Sequence, residues 1–105
     1  MVAVNVVVVV GTVSGEPVRR RMPSGDEVTE LRVTVPEEGR RHLPLPVAVW
    51  PDADGSAQAR ELQRGDHVMV HGRVVRRFYR SGAGARSLME IVASGVRHLP
   101  EPASA

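Results

Sequence analysis

One stretch limits the folds open to this chain more than any other: Ala59-Arg60-Glu61-Leu62-Gln63-Arg64-Gly65, followed by Val68 to Tyr79. It reads as the end of a short helix, a glycine stop and then a strand longer than most. The strand runs into Arg73, Arg76 and Arg77 and ends on Phe78 and Tyr79. A helix feeding a long strand inside an otherwise strand-rich chain argues against an SH3-like barrel, which could share the strands but would not ordinarily put a helix there. A sheet that carries cations and flat rings at one end suits single-stranded nucleic acid, which offers phosphates and base faces.

The rest of the chain supplies strands. Val6 to Val13 has Val at six of eight positions, with Gly11 and Thr12 between. Such a run calls for burial on both faces, either in a barrel or against another subunit, and Gly11 marks a bend or bulge. Ser14-Gly15-Glu16-Pro17 and Pro23-Ser24-Gly25-Asp26 are turns around a short strand, Val18 to Met22. Val28 to Val35 alternates, with Leu31, Val33 and Val35 opposed to Glu30, Arg32 and Thr34. After the charged loop Pro36 to Arg41, Leu43 to Trp50 forms the third main strand. Pro44 and Pro46 place its first half at an edge or bulge, because proline cannot donate to a ladder. Asp52 or Asp54 is the expected cap of a helix over Ser56 to Arg64, and Gly65 its left-handed stop. Ser81 to Ala85 is a hairpin tip and Leu88 to Leu99 the fifth main strand.

Five main strands with one helix between the third and fourth is the order of the OB-fold, a five-stranded Greek-key barrel. The fold class is therefore all-β, with residues 1–99 as one domain and 100–105 as a short tail. At 105 residues there is material for a single small core. With one Trp, one Tyr and one Phe, that core must be aliphatic, which leaves each ring free for a specific place.

Charge and composition narrow the function. The net charge is +2, so the chain is no polycation, and all 14 cationic side chains are Arg. Arginine forks onto phosphate and stacks on bases, although a GC-rich genome would produce the same bias. There is no Cys, hence no disulfide scaffold and no thiolate metal site. His42, His67, His71 and His98 form no ligand set; His67 and His71 share a strand face but lie about 13 Å apart at strand rise. No nucleophile-and-base arrangement and no phosphate loop is present, so neither an enzyme nor a cofactor is expected. The apolar start, Met1 to Val10, lacks the cationic region of a signal peptide, and no apolar run reaches a membrane span. A cytoplasmic protein without membrane contact is the expectation.

Nearly the whole chain, Asn5 to Leu99, resembles the bacterial-type single-stranded DNA-binding proteins. Asn5, the apolar strand and Gly11 are similar to that family's first strand. Pro17, Arg20 and Met22-Pro23-Ser24-Gly25 follow at its spacing, and Val47-Ala48-Val49-Trp50 resembles its third strand. Leu62, Arg64-Gly65, Val68, Val70, Gly72, Arg77 and Tyr79 match the next block, and Glu90 with Val92 the last strand. The resemblance implies sequence-nonspecific binding of single-stranded DNA in replication, repair or recombination. It also implies a homotetramer built from two dimers, with the Val6, Val7, Val8, Val9, Val10 strand pairing to its mate, and replication or repair proteins as further partners. The chain departs from the pattern where Glu38 or Gly39, Pro44 and Arg21 replace frequent aromatics, and where Pro51 replaces a glycine. It stops at Pro100 to Ala105, short of the family's glycine-rich, acid-tipped tail, like a shortened paralogue or a trimmed form.

The candidate DNA-binding residues are accordingly Arg20, Arg21, Arg32, Trp50, Arg73, Arg76, Arg77, Phe78, Tyr79, Arg80 and Arg86. Trp50 stacks on a base or plugs the barrel mouth. Tyr79 stacks. Phe78 faces the other way, toward core, subunit or base. The arginines contact phosphate or line a solvated face. With aromatics missing, an OB-fold interaction module with weak DNA binding, such as a primosome-type accessory or mixed-oligomer partner, is the alternative. An RNA-binding OB domain is the third.

Overall fold

The computed structural model describes residues 1–39 and 42–101; Arg40 and Arg41 of the charged loop and residues 102–105 of the tail lie outside the described residues. Six strands and one helical turn follow in the order β1 (Val7–Val13), β2 (Val18–Arg21), β3 (Glu27–Thr34), β4 (Pro44–Val49), α1 (Ser56–Ala59), β5 (His67–Ser81) and β6 (Gly84–Leu99). They form one sheet in the order β1-β5-β6-β4-β3-β2, and β1 pairs back onto β3. Five strands thus close a ring, with β2 appended outside it. This is the OB-fold connectivity, with the single helical turn between the third and fourth ring strands.

The ring is only lightly closed. β1 joins β3 through Thr12↔Thr34 and Val13↔Val33, and β4 joins β6 in parallel through Val47↔Ile91 and Ala48↔Val92. β1 makes its bridge by leaving β5 after Thr12↔His67. Gly11 stands at that crossing, where an added Cβ would collide with the Thr34 carbonyl. The expected bend at Gly11 is therefore a close backbone approach that seals one seam. At the other seam the Pro44 end of β4 pairs β3 alone, since only Val47 and Ala48 reach β6. The prolines do lie at an edge.

The core is aliphatic. Val13, Leu31, Val33, Val47, Val49, Val68, Val70, Ile91 and Val96 make one buried cluster, closed below by Ala59 and Leu62. Of the Val6 to Val10 run only Val7 and Val9 pack against it, while Val6, Val8 and Val10 are exposed. The two-faced burial expected of the valine run is thus not met within one subunit.

The helix is shorter than its sequence pattern. It stops at Ala59, and the chain continues through tighter turns in which Glu61 N–H bonds the Gln58 carbonyl and Leu62 N–H the Ala59 carbonyl. Two anchors end it early. Leu62 is drawn into the core, and the Asp66 carboxylate accepts from Gln63 N–H at 2.8 Å. Gly65 does take a left-handed φ of 95°, but its role is to bring its N–H onto the Val13 carbonyl at 2.8 Å. Neither Asp52 nor Asp54 caps the helix. The N-cap is Gly55, with φ 79° and no side-chain cap bond, set so close to the Val96 carbonyl that a Cβ would not fit. Asp54 instead lends its backbone to β6, donating to the Ser94 carbonyl and accepting from Val96 N–H. It braces the bulge where the register slips from His71↔Gly95 to Gly72↔Ala93.

β5 and β6 run past the barrel as a two-stranded arm. Their pairing continues to Ser81↔Gly84, so the turn shrinks to Gly82 and Ala83 and the strands exceed the expected Val68–Tyr79 and Leu88–Leu99. Asn5 props the root of this arm. Its side-chain amide donates to the Val74 carbonyl at 2.8 Å and accepts from Val74 N–H at 2.9 Å. Asn5 stands opposite Val74 in the register that pairs Val7 with Gly72, so its side chain replaces one more rung of the ladder.

Candidate nucleic-acid interface

Alternation along paired strands sorts the candidate residues onto faces. β5 turns Val68 and Val70 into the core, so Arg73, Arg77 and Tyr79 belong to the outer face. Their partners on β6, Val92, Leu88 and Arg86, share that face with Glu90. Ala48 pairs Val92 and Glu30 pairs Ala48, which carries the same face across β4 and β3 to Val18 on β2. Five strands therefore present one continuous surface.

Two adjoining basins lie on it. The first, of about 550 Å³, is lined by Arg20, Arg32, Arg77, Tyr79 and Leu88 among others. The second, of about 730 Å³, is lined by Trp50, Arg73, Arg76 and Arg77, with Met22 at its side. Arg77 and Glu90 belong to both and form the ridge between them. Tyr79 stands in one basin and Trp50 in the other, with arginines between. Tyr79 is 45% exposed, and Trp50 is half-buried just past the end of β4, its carbonyl holding the turn to Ala53 N–H at 3.0 Å. Both residues keep surface open to solvent, as a stacking platform requires.

The remaining candidates sit elsewhere. Arg21 pairs Glu27 on the face of β2 opposite Arg20 and lines neither basin. Phe78 lies on the back of the arm, 73% exposed, so it is neither core nor part of the groove. Arg80, opposite Ala85 at the arm tip, shares that back face, and alternation puts Arg76, opposite Met89, on it too, although Arg76 also borders the second basin. Arg86 lies on the groove side, directly across from Tyr79 and exposed, but beyond the basin walls.

Sequence reading did not anticipate the carboxylates of this surface. Arg20 Nε lies 2.9 Å from Glu30 Oε1, and Arg77 Nη1 lies 3.7 Å from Glu90 Oε2. Both are diagonal cross-strand neighbours, two residues off the direct partner (Arg20↔Val28, Arg77↔Leu88). The signal was present in the register, which no single strand displays. On the opposite face Arg19 and Glu27 repeat the diagonal at 4.0 Å. Among the described residues, no group of three or more His, Asp or Glu side chains is placed to hold a metal ion, and no helix is long and apolar enough to cross a membrane.

Comparison with known proteins gives this surface a context. A family model described as the single-strand binding protein family matches residues 4–99. A single-stranded DNA-binding protein of Deinococcus radiodurans is 35% identical over 81 residues, covering 70% of this chain and 26% of the relative. One from Thermus aquaticus is 33% identical over 90 residues, covering 80% of this chain and 33% of the relative. The chain thus spans about a quarter to a third of the curated relatives it matches. The crystal structure of a deletion mutant of the Thermus aquaticus single-stranded DNA-binding protein superposes with a TM-score of 0.76 at 28% identity, covering 96% of this chain and 43% of that one. The chain belongs to the single-strand binding protein family.

Proposed function

We propose that this protein binds single-stranded DNA without sequence preference, in the groove that crosses β2, β3, β4, β6 and β5. The observation that carries this reading is the placement of Tyr79 and Trp50 in adjoining basins with Arg20, Arg32, Arg73, Arg76 and Arg77 around them. Bases stack on the rings, and each stacked base contributes about 1–3 kcal/mol. Arginines neutralise phosphates and release counterions, so affinity falls with salt. Base-edge readout needs a fixed donor and acceptor code, whereas a ring accepts any base, which is why sequence matters little. The protein protects exposed strands in replication, repair or recombination, in the cytoplasm, by binding them and catalysing nothing.

Assembly completes the proposal. Among the described residues, β1 pairs only β5 from Val7 to Gly11, so its outer backbone is a free edge beside exposed Val6, Val8 and Val10. An apolar edge strand left open is a pairing site. A second copy pairs there, and two such dimers make the homotetramer. Native mass measurement of a Val8→Asp variant tests this: the expected result is loss of assembly, and a variant that stays assembled refutes the pairing.

The DNA reading is tested by fluorescence anisotropy of a labelled oligo-dT over several salt concentrations, with Tyr79→Ala alongside. Binding that weakens with salt, and again on loss of the ring, supports stacking plus phosphate contact. Flat curves at low salt would leave the OB-fold as a protein-interaction module instead.

A further inference from the structure

The groove is far less cationic than its arginines suggest. Against the five arginines, its walls also carry Glu16, Glu30, Asp52 and Glu90. Two of these carboxylates are matched to specific arginines. Glu30 Oε1 is 2.9 Å from Arg20 Nε, yet this buried oxygen has no hydrogen-bond partner, so the contact is a charge pair of poor hydrogen-bond geometry. Glu90 has a side chain only 11% exposed and reaches Arg77 at 3.7 Å on the ridge between the basins. Arg20 and Arg77 are thus already faced by an anion, and a nearby phosphate is repelled by the same carboxylates.

We propose that Glu30 and Glu90 are built-in competitors of phosphate that set the affinity of the groove, an inference that rests on the single-stranded DNA reading. In the free protein each carboxylate holds its arginine against the sheet. DNA must draw the guanidinium away, or pass it without contact. Because loose, partly solvated ion pairs are worth little, release is easy and the groove remains reversible rather than sticky. The carboxylates also keep two adjacent cationic basins from repelling one another in the absence of DNA. The pairing is specific to position: Arg32 and Arg73, in the same groove, have no such partner among the ion pairs of the described residues.

The experiment titrates labelled oligo-dT with the wild-type chain, Glu30→Gln, Glu90→Gln and the double variant at several salt concentrations. Glu27→Gln is the control, because it removes the same charge from the Arg19 pair on the opposite face. The expected result is tightening of about two- to fivefold for each groove variant, the scale of a weak, partly solvated ion pair. The salt slope should steepen by about 0.7 for each arginine released onto a phosphate, with Glu27→Gln unchanged. Unchanged or weaker binding by both groove variants overturns the inference, as does equal tightening by Glu27→Gln, which would reduce the effect to net charge. Wild-type binding with no response to the substitutions sinks this inference alone. No binding by any protein at low salt sinks the DNA reading with it. Thermal melts confirm folding, and Glu30→Gln stands as an independent test should Glu90→Gln not fold.

Discussion

The two halves of the β5–β6 ribbon are made from the same ladder and do opposite work. In the barrel half, Val68, Val70, Ile91, Ala93 and Val96 are buried, at alternate positions except across the Ser94 bulge. In the arm half the pairing continues without a break from Val75↔Glu90 to Ser81↔Gly84, but most side chains are exposed on both faces. The β5–β6 ladder runs through both halves, but only the barrel half is also paired outward, through β5 to β1 and through β6 to β4. The other difference is burial. Apolar area removed from water stabilises the barrel at roughly 25 cal/mol per Å². The arm buries little, and its residues are free to be selected for what they touch. The border between the two regimes falls just past Val74↔Ile91, the last rung at which β6 is also paired to β4, and the Ser94 bulge and the close backbone approach at Gly72 lie on its barrel side.

This contrast makes substitutions in one ribbon behave differently by position. The largest effect belongs to Val70→Asp, which buries an unpaired charge at a site of 0% exposure. The expected outcome is loss of the folded state, at a cost of about 3–5 kcal/mol or more, read by thermal denaturation. A stable Val70→Asp protein would erase the distinction between the halves. Next is Tyr79→Ala, which should leave the melting temperature nearly unchanged while oligo-dT affinity falls by about 1–3 kcal/mol, or roughly five- to 150-fold. A Tyr79→Ala protein that melts early and binds normally would invert the roles assigned to the halves. Arg32→Gln and Arg73→Gln are smaller: each should lower the salt dependence of binding by about 0.7 in log–log slope, with stability within about 0.5 kcal/mol of wild type. Smallest of all is Phe78→Ser. On the back of the arm it should change stability by less than about 0.5 kcal/mol and leave DNA affinity intact. A clear loss of affinity there would show that DNA wraps both faces of the arm.

The arginine cluster illustrates where sequence reading stops. Arg19, Arg20 and Arg21 are one run in the sequence, but β2 pairs them alternately, so only Arg20 enters the groove. Phe78 and Tyr79 are likewise neighbours that end on opposite faces. Alternation along a strand predicts that they separate. Which side holds the groove depends on partner strands that come from elsewhere in the chain. The helix pattern over Ser56 to Arg64 failed for a related reason. Its last turn competes with the burial of Leu62 and the Asp66 contact to Gln63, and tertiary packing overrides propensity.

What the sequence determined by itself was everything carried by local periodicity: the order of strands, the single helix between the third and fourth ring strands, the aliphatic core and the aromatic-tipped arm. The colinear motifs from Asn5 to Val92 were enough to place the family as well. What only the tertiary structure decided was which charges meet. Glu30 and Glu90 were polar positions on separate strands until the β2–β3 and β5–β6 registers set them diagonally against Arg20 and Arg77. The Asn5 clamp on Val74 and the sealing of the ring at Gly11 are of the same kind. Each depends on a cross-strand register, and register is a property of two segments distant in the chain, set by the core they share and the bulge between them.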